Sequence, residues 1–222
     1  PPPGGGEQRA LSFAHLRDLL LDVAPLSLEH VKRVNKAEAE YWQRSGGVRE
    51  ADSVDVLGFD CGGQQQVLEV AFPIGPLEGM DLRDVEYMHE LLTIIEDERI
   101  PAPAPLEQRW TASSTAAMSP AHSPRGGDKF SWVGVIMYLP PQQTPAQRDA
   151  ITREFKRYCR AMEPLMSRYG AVPHWAKVEL PEGEGEGGHA AAAAAAERLR
   201  ARLRERYDVE GFLRVKGGVD PH

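Results

Sequence analysis

The chain has 222 residues, 41% of them hydrophobic, and a formal net charge of -7, enough to bury one substantial core. The acidic balance excludes an overall nucleic-acid footprint, which needs a clustered Lys/Arg surplus, although Arg198 to Arg206 could form a local basic patch. Two cysteines, Cys61 and Cys159, are too few and too far apart for a disulfide framework and read as thiols. No run approaches the ~18 to 20 apolar residues of a membrane-spanning helix, and the seven histidines lack any H-x-x-x-H spacing, so no metal site is expected.

The start, Pro1-Pro2-Pro3-Gly4-Gly5-Gly6 without a Met, reads as a linker over residues 1–9 and as the mark of a fragment cut from something longer. Leu11, Phe13, Leu16, Leu19 and Leu20 then predict a short helix, with Ser12 as N-cap and Pro25 as stop. From Ser27, a second N-cap, the spacing of Leu28, Val31, Val34, Ala37, Tyr41 and Trp42 predicts a better helix ended by Gly46-Gly47. Val67 to Phe72 are β-prone, after a bend at Gly62-Gly63. Leu82, Val85, Met88, Leu91, Leu92 and Ile95 predict an amphipathic helix closed by Pro101, followed by an extended PAPAP segment.

LEQRWTAS is a short strand candidate, residues 113–128 read as a surface loop, and FSWVGVIMYLP is the strongest strand, expected at the centre of the sheet. A helix is predicted over 145–168, with Thr144 as N-cap and one buried face of Ile151, Phe155, Tyr158, Met162 and Leu165; Pro164 would kink or shorten it. VPHWAKVELP is read as another strand, PEGEGEGG as a loop, and the alanine run into ERLRARLRERY as a helix with a solvated arginine face. The whole predicts an α+β domain, its sheet antiparallel with helices on one face.

Chemistry is suggested at three places. In a strand, Glu107 and Arg109 are two apart and share a face, where they could hold a polyhydroxylated substrate and stabilise charge on oxygen. Pattern alone favours the plainer reading, a surface ion pair worth ~0 to 1 kcal/mol. Strand alternation in HWAK would put Trp175 and Lys177 on one face and His174 on the other, so the three could not line one pocket; Lys177 is either a cation beside a redox ring or a surface lysine lying over Trp175. Cys61, in FDCGG, is either an accessible, oxidisable thiol or an inert buried one. There is no G-x-G-x-x-G, P-loop or G-x-S-x-G, hence no cofactor motif.

The strings ALSFAHLRDLLL, VKRVNKAEAEYW, LGFDCGGQQQVLEVAFPIG, IPAPAPLEQRWTASSTAAMSPAHS, FSWVGVIMYLP, HWAKVELP and ERLRARLRERYDVEGF together resemble, in this order, the carboxy-terminal region of the aldonolactone oxidoreductases. This is a family of the vanillyl-alcohol oxidase superfamily, here nearest the plant-type L-galactono-1,4-lactone dehydrogenases, with the D-arabinono-1,4-lactone oxidases as the related type. The resemblance implies that residues 10–222 are a substrate-binding cap whose FAD-binding domain lies upstream. It implies that Glu107 and Arg109 contact the lactone, that Lys177 is an active-site residue near substrate and flavin, that His174 assists in binding, and that Cys61 is an oxidation-sensitive thiol; the mechanism expected from these roles has Glu107 orienting the sugar hydroxyls while Arg109 fixes it.

It also implies oxidation of the C2 hydroxyl of L-galactono-1,4-lactone to give L-ascorbate, cytochrome c as electron acceptor, and a mitochondrial location at the inner membrane or in the intermembrane space. The chain departs from the family pattern in its glycine- and alanine-rich loop after HWAK and in ending at GVDPH. Without the flavin domain this polypeptide alone is expected to be inactive. Competing readings are an oxygen-using D-arabinono-1,4-lactone oxidase, a non-catalytic cap module acting on respiratory complex I assembly intermediates, and a truncated gene product.

Overall fold

Ser27, Thr144 and Asp208 each start a helix by accepting a hydrogen bond from a backbone N–H in the first turn, and these local signals set much of the element order. A computed structural model of the chain describes residues 13–45, 48, 50, 52, 64–79, 81–124, 126–177 and 188–220. Its elements are α1 (Phe13–Val23), α2 (Leu28–Arg44), β1 (Gln64–Pro76), α3 (Arg83–Asp97), β2 (Glu107–Ala112), β3 (Asp128–Leu139), α4 (Pro145–Tyr169), β4 (Val172–Pro173), α5 (Gly188–Arg206) and α6 (Val209–Val219). The fold is α+β with an antiparallel sheet in the order β2-β3-β1-β4.

The described residues fall into two compact units. One holds α1, α2, residues 99–104 and residues 137–156. There α1 and α2 pack together, burying Leu21, Val31 and Val34, and the His30 ring bonds the Leu20 carbonyl at 2.7 Å. The Asn35 amide donates to Ala102 O and accepts from Ala104 N, both at 2.9 Å, so one side chain satisfies a proline-rich strap that has no ladder of its own. Arg17 lies 4.0 Å from the centre of the Tyr138 ring.

The other unit holds residues 67–98, 105–136 and 157–220 and carries most of the sheet. Within it β3 is buried on both faces from Phe130 through Ile136, as expected of a central strand. On one face the Phe72 ring stacks on Tyr87 of α3 with centroids 4.6 Å apart, and Tyr169 of α4 meets both edge-on. Leu91, Tyr158, Met162 and Leu165 of the same two helices are fully buried.

Several expectations are corrected. In α2 the buried stripe is Val31, Val34 and Glu38, while Ala37, Tyr41 and Trp42 are exposed. The helix ends at Arg44 with Ser45 as C-cap; Ser12 and the glycine pairs at 46–47 and 62–63 lie outside the described residues. In α3, Asp84, Tyr87 and Leu91 face inward while Leu82, Val85 and Leu92 are exposed, because Tyr87 packs on Phe72 and Asp84 accepts from the Trp110 indole at 2.8 Å. The helix stops at Asp97, short of Pro101, with Arg99 at φ 51.

α4 runs unbroken through Pro164, which sits on the exposed side of the helix, as does Arg160 one turn earlier. It ends at Gly170, whose φ of 59 lets Ala171 N reach Met166 O at 2.8 Å. The 113–128 loop is partly buried, since Ala121 packs with Ala71, Phe130 and Trp132. Arg206 leaves the solvated arginine face: it lies over the Phe130 ring at 4.8 Å and donates to Pro120 O and Gly170 O. α6 has no counterpart among the predicted elements, although Asp208 caps it through Gly211 N at 2.8 Å. In the described part of the VPHWAKVELP segment only Val172–Pro173 is strand, followed by a single 3-10 turn at Trp175–Lys177; residues 178–181 lie outside the described residues.

Candidate functional site

The second face of the sheet is built by strand alternation. The register pairs Glu107 with Gly134, Arg109 with Trp132 and Thr111 with Phe130, so these six residues share one face. Ala71 of β1 joins it by packing on Phe130 and Trp132, and Glu69, two residues earlier, points the same way. On the edge strand the side chains of Glu107 and Arg109 are exposed, whereas Glu69, on an inner strand, keeps only 3% of its surface.

Glu69 organises the polar side of this face. Its Oε1 accepts from Arg109 Nε at 3.0 Å and Nη2 at 2.5 Å, and its Oε2 accepts from Lys177 Nζ at 3.2 Å. Two cations from opposite sides of the sheet thus share one buried carboxylate, so these three groups together carry a charge of +1. Arg109 Nη1 and two of the three Lys177 ammonium hydrogens make no bond to any described residue. The Arg109 guanidinium lies 4.7 Å from the centre of the Trp132 ring, whose indole donates to Thr111 Oγ1 at 2.8 Å.

His174 N bonds the Glu69 carbonyl at 2.8 Å, and the chain then turns so that Lys177 N meets His174 O at 2.9 Å. This turn explains why His174, Trp175 and Lys177 gather on one side where strand alternation would separate them. The His174 ring stacks near Trp175, with centroids 5.8 Å apart, and lies 6.3 Å from Trp132. Its Nδ1 accepts from Ala176 N at 3.2 Å, which leaves Nε2 to carry the proton of the neutral ring. Burial pushes its pKa below 6.5, Glu69 opposes that shift, and Lys177 and Arg109 add to it. Trp175, half exposed, donates to Met118 O at 3.0 Å.

Glu107 does not bond Arg109. Its carboxylate forms no hydrogen bond or ion pair with any described residue, and a Cβ added to Gly134 would stand 3.6 Å from its Oε2. The surface ion pair expected of E-x-R is therefore not formed, and neither is the fixing of Glu107 by Arg109: Arg109 turns to the more buried Glu69. Sequence reasoning missed Glu69. The signal available was a lone acid inside the apolar run Val67 to Phe72. Cys61 lies outside the described residues; Cys159 is half-buried on α4 and forms no disulfide among the described residues.

Chemically, this face offers a free carboxylate acceptor at Glu107, cationic donors at Arg109 and Lys177, a neutral imidazole donor at His174, and an exposed indole surface at Trp175, with Trp132 buried beneath Arg109. That set suits a polyhydroxylated ring on which negative charge develops.

Comparison with known proteins gives a consistent result. The model of the D-arabinono-1,4-lactone oxidase family matches residues 9–222. The chain is 48% identical over 213 residues to L-galactono-1,4-lactone dehydrogenase 1, mitochondrial, of Oryza sativa subsp. japonica, covering 96% of this chain and 35% of that protein. It is 47% identical to the mitochondrial L-galactono-1,4-lactone dehydrogenase of Arabidopsis thaliana and 46% identical to that of Brassica oleracea, each over 96% of this chain and 33% and 34% of those proteins. The chain spans about a third of the length of these curated relatives.

Proposed function

This chain belongs to the D-arabinono-1,4-lactone oxidase family, and on that premise we propose that residues 10–222 form the substrate-side cap of an FAD-dependent aldonolactone oxidoreductase, with residues 1–9 as linker. The proposed reaction is oxidation of the C2 hydroxyl of L-galactono-1,4-lactone, yielding L-ascorbate, in a mitochondrial protein whose electrons pass to cytochrome c. The observation that carries the reading is the meeting of Glu107, Arg109, His174 and Lys177 on one sheet face around buried Glu69.

The cofactor fits this donor set: two half-exposed cations sharing one carboxylate leave positive charge available to an electron-rich ring. FAD, when bound, supplies the hydride acceptor. Glu107 accepts hydrogen bonds from the sugar hydroxyls and orients C2. Arg109 Nη1 and the Lys177 ammonium donate to the C2 oxygen, stabilising the negative charge that it gains as its hydroxyl proton departs to water and that it gives up as the C2–H bond breaks. His174 contributes a hydrogen bond from Nε2. Trp175, half exposed, gives the apolar face of the lactone ring a surface and displaces water, while Trp132 supports the Arg109 guanidinium from beneath.

The test is kinetic, on the full-length protein. Glu107→Gln and Arg109→Ala are each expected to lower kcat/KM for lactone-dependent cytochrome c reduction at least ~10-fold, equivalent to ~1.4 kcal/mol. If neither does so, the site assignment is wrong. A flavin-loaded protein that turns over lactone with oxygen but not with cytochrome c would be the oxidase type. One that binds no flavin and oxidises no lactone would point to the assembly module.

A further inference from the structure

We propose that Glu69 is the positioning residue of this site, fixing the spacing of Arg109 and Lys177 so that their unused N–H groups act together on one substrate oxygen. The inference rests on the lactone-oxidising reading above. Its ground is the asymmetry of the cluster. Glu69 is buried with both oxygens occupied, while its two partners, 40 and 108 residues away, stay about half exposed.

A carboxylate buried for stability alone is a poor device, because an apolar residue of similar volume usually serves a sheet as well or better. Here the carboxylate separates two like charges that would otherwise repel, and it uses only part of each donor set. Arg109 is gripped through Nε and Nη2, which leaves Nη1 as its outward donor. Lys177 comes from the turn after β4, and that turn is itself hung on the Glu69 carbonyl through His174 N. One residue therefore holds the arginine by side chain and the lysine by both side chain and backbone. Glu69 touches neither substrate nor cofactor in this arrangement and acts only through the two cations.

The test is a double-mutant cycle in the full-length flavoprotein. Glu69→Gln keeps size, burial and an oxygen for Arg109 but removes the charge; Glu69→Asp keeps the charge on a shorter arm. Expected is a ~30-fold or greater loss of kcat/KM for Glu69→Gln and a smaller loss for Glu69→Asp, with flavin content and urea midpoint near those of the parent. In an Arg109→Ala background the further effect of Glu69→Gln should shrink below ~3-fold, because there is no longer a pair to space. Full additivity would overturn positioning in favour of a purely structural role, and so would an active Glu69→Gln in a protein where Arg109→Ala is impaired. If Arg109→Ala and Lys177→Ala are themselves without effect, the lactone site fails and this inference falls with it. If Glu69→Gln does not fold, Glu69→Asp decides: parental kinetics in that variant overturn the proposal.

Discussion

Val70 and Phe72 of β1 face helices α3 and α4, where Phe72, Tyr87 and Tyr169 form a ring cluster and both β1 residues are fully buried. Glu69 and Ala71, alternating with them, face the other way, toward Trp132, Arg109 and Lys177. On the helix face volume matters, and charge stands at the rim of the ring cluster, where Arg83 lies over Tyr169 and Glu90 accepts from its hydroxyl. On the other face a carboxylate is kept in a place where an ion costs several kcal/mol unless it is paired. One strand thus supplies both environments through its period of two, so stability and chemistry should be separable by single substitutions one residue apart.

Phe72→Ala should break the helix face. Removing a fully buried ring costs about 3–5 kcal/mol, read as a drop in urea midpoint, and what remains folded should keep the parent's KM for lactone. A raised KM with unchanged stability would show that the two faces are not independent. The Arg109→Ala test sharpens the comparison from the other side: its ~10-fold kinetic loss should come with a much smaller shift in urea midpoint than Phe72→Ala, because Lys177 still pairs Glu69.

A third change acts on the helix face alone. The hydroxyl of Tyr158 is buried with no partner among the described residues, and burial pushes its pKa well above the ordinary range. An unsatisfied buried hydroxyl costs about 1–3 kcal/mol, so Tyr158→Phe should be neutral or stabilising by up to about 1 kcal/mol in the same urea measurement, with kinetics unchanged. A loss exceeding 1 kcal/mol would mean that this hydroxyl has a hydrogen-bond partner.

What could be read from the sequence follows the range of the forces involved. The caps at Ser27 and Thr144, the central strand β3 and the buried face of α4 depend on neighbours within a few residues, and they were legible. The inward stripe of α3 was not, because it is set by Phe72 and Trp110, which belong to other strands. The same reason hid Glu69, whose meaning lies in two distant partners. Arg109 and Lys177 are singled out only by whole-string resemblance, since a surface pair and a snorkelling lysine have the same local pattern. The convergence of His174 with Lys177 was lost by extending strand alternation through a segment that turns after Pro173.

The smallest expected effect concerns His174, where the two environments meet. Burial holds the folded-state pKa below 6.5, Glu69 pulls it up, and Lys177 and Arg109 push it further down. Because the folded value is the lower one, the unfolded chain takes up this proton first as pH falls. Between the two values the unfolded state binds more protons, so the contribution of His174 to stability is complete above about pH 6.5 and is lost on acidification through that window. Urea midpoints measured at pH 7.5 and pH 5.5 should therefore fall further for the parent than for His174→Gln. A parent that instead gains stability relative to the variant at pH 5.5 would mean that attraction to Glu69 outweighs burial. His174 would then be a third cation on the same carboxylate, and the positive charge on this face of the sheet would rise as pH falls.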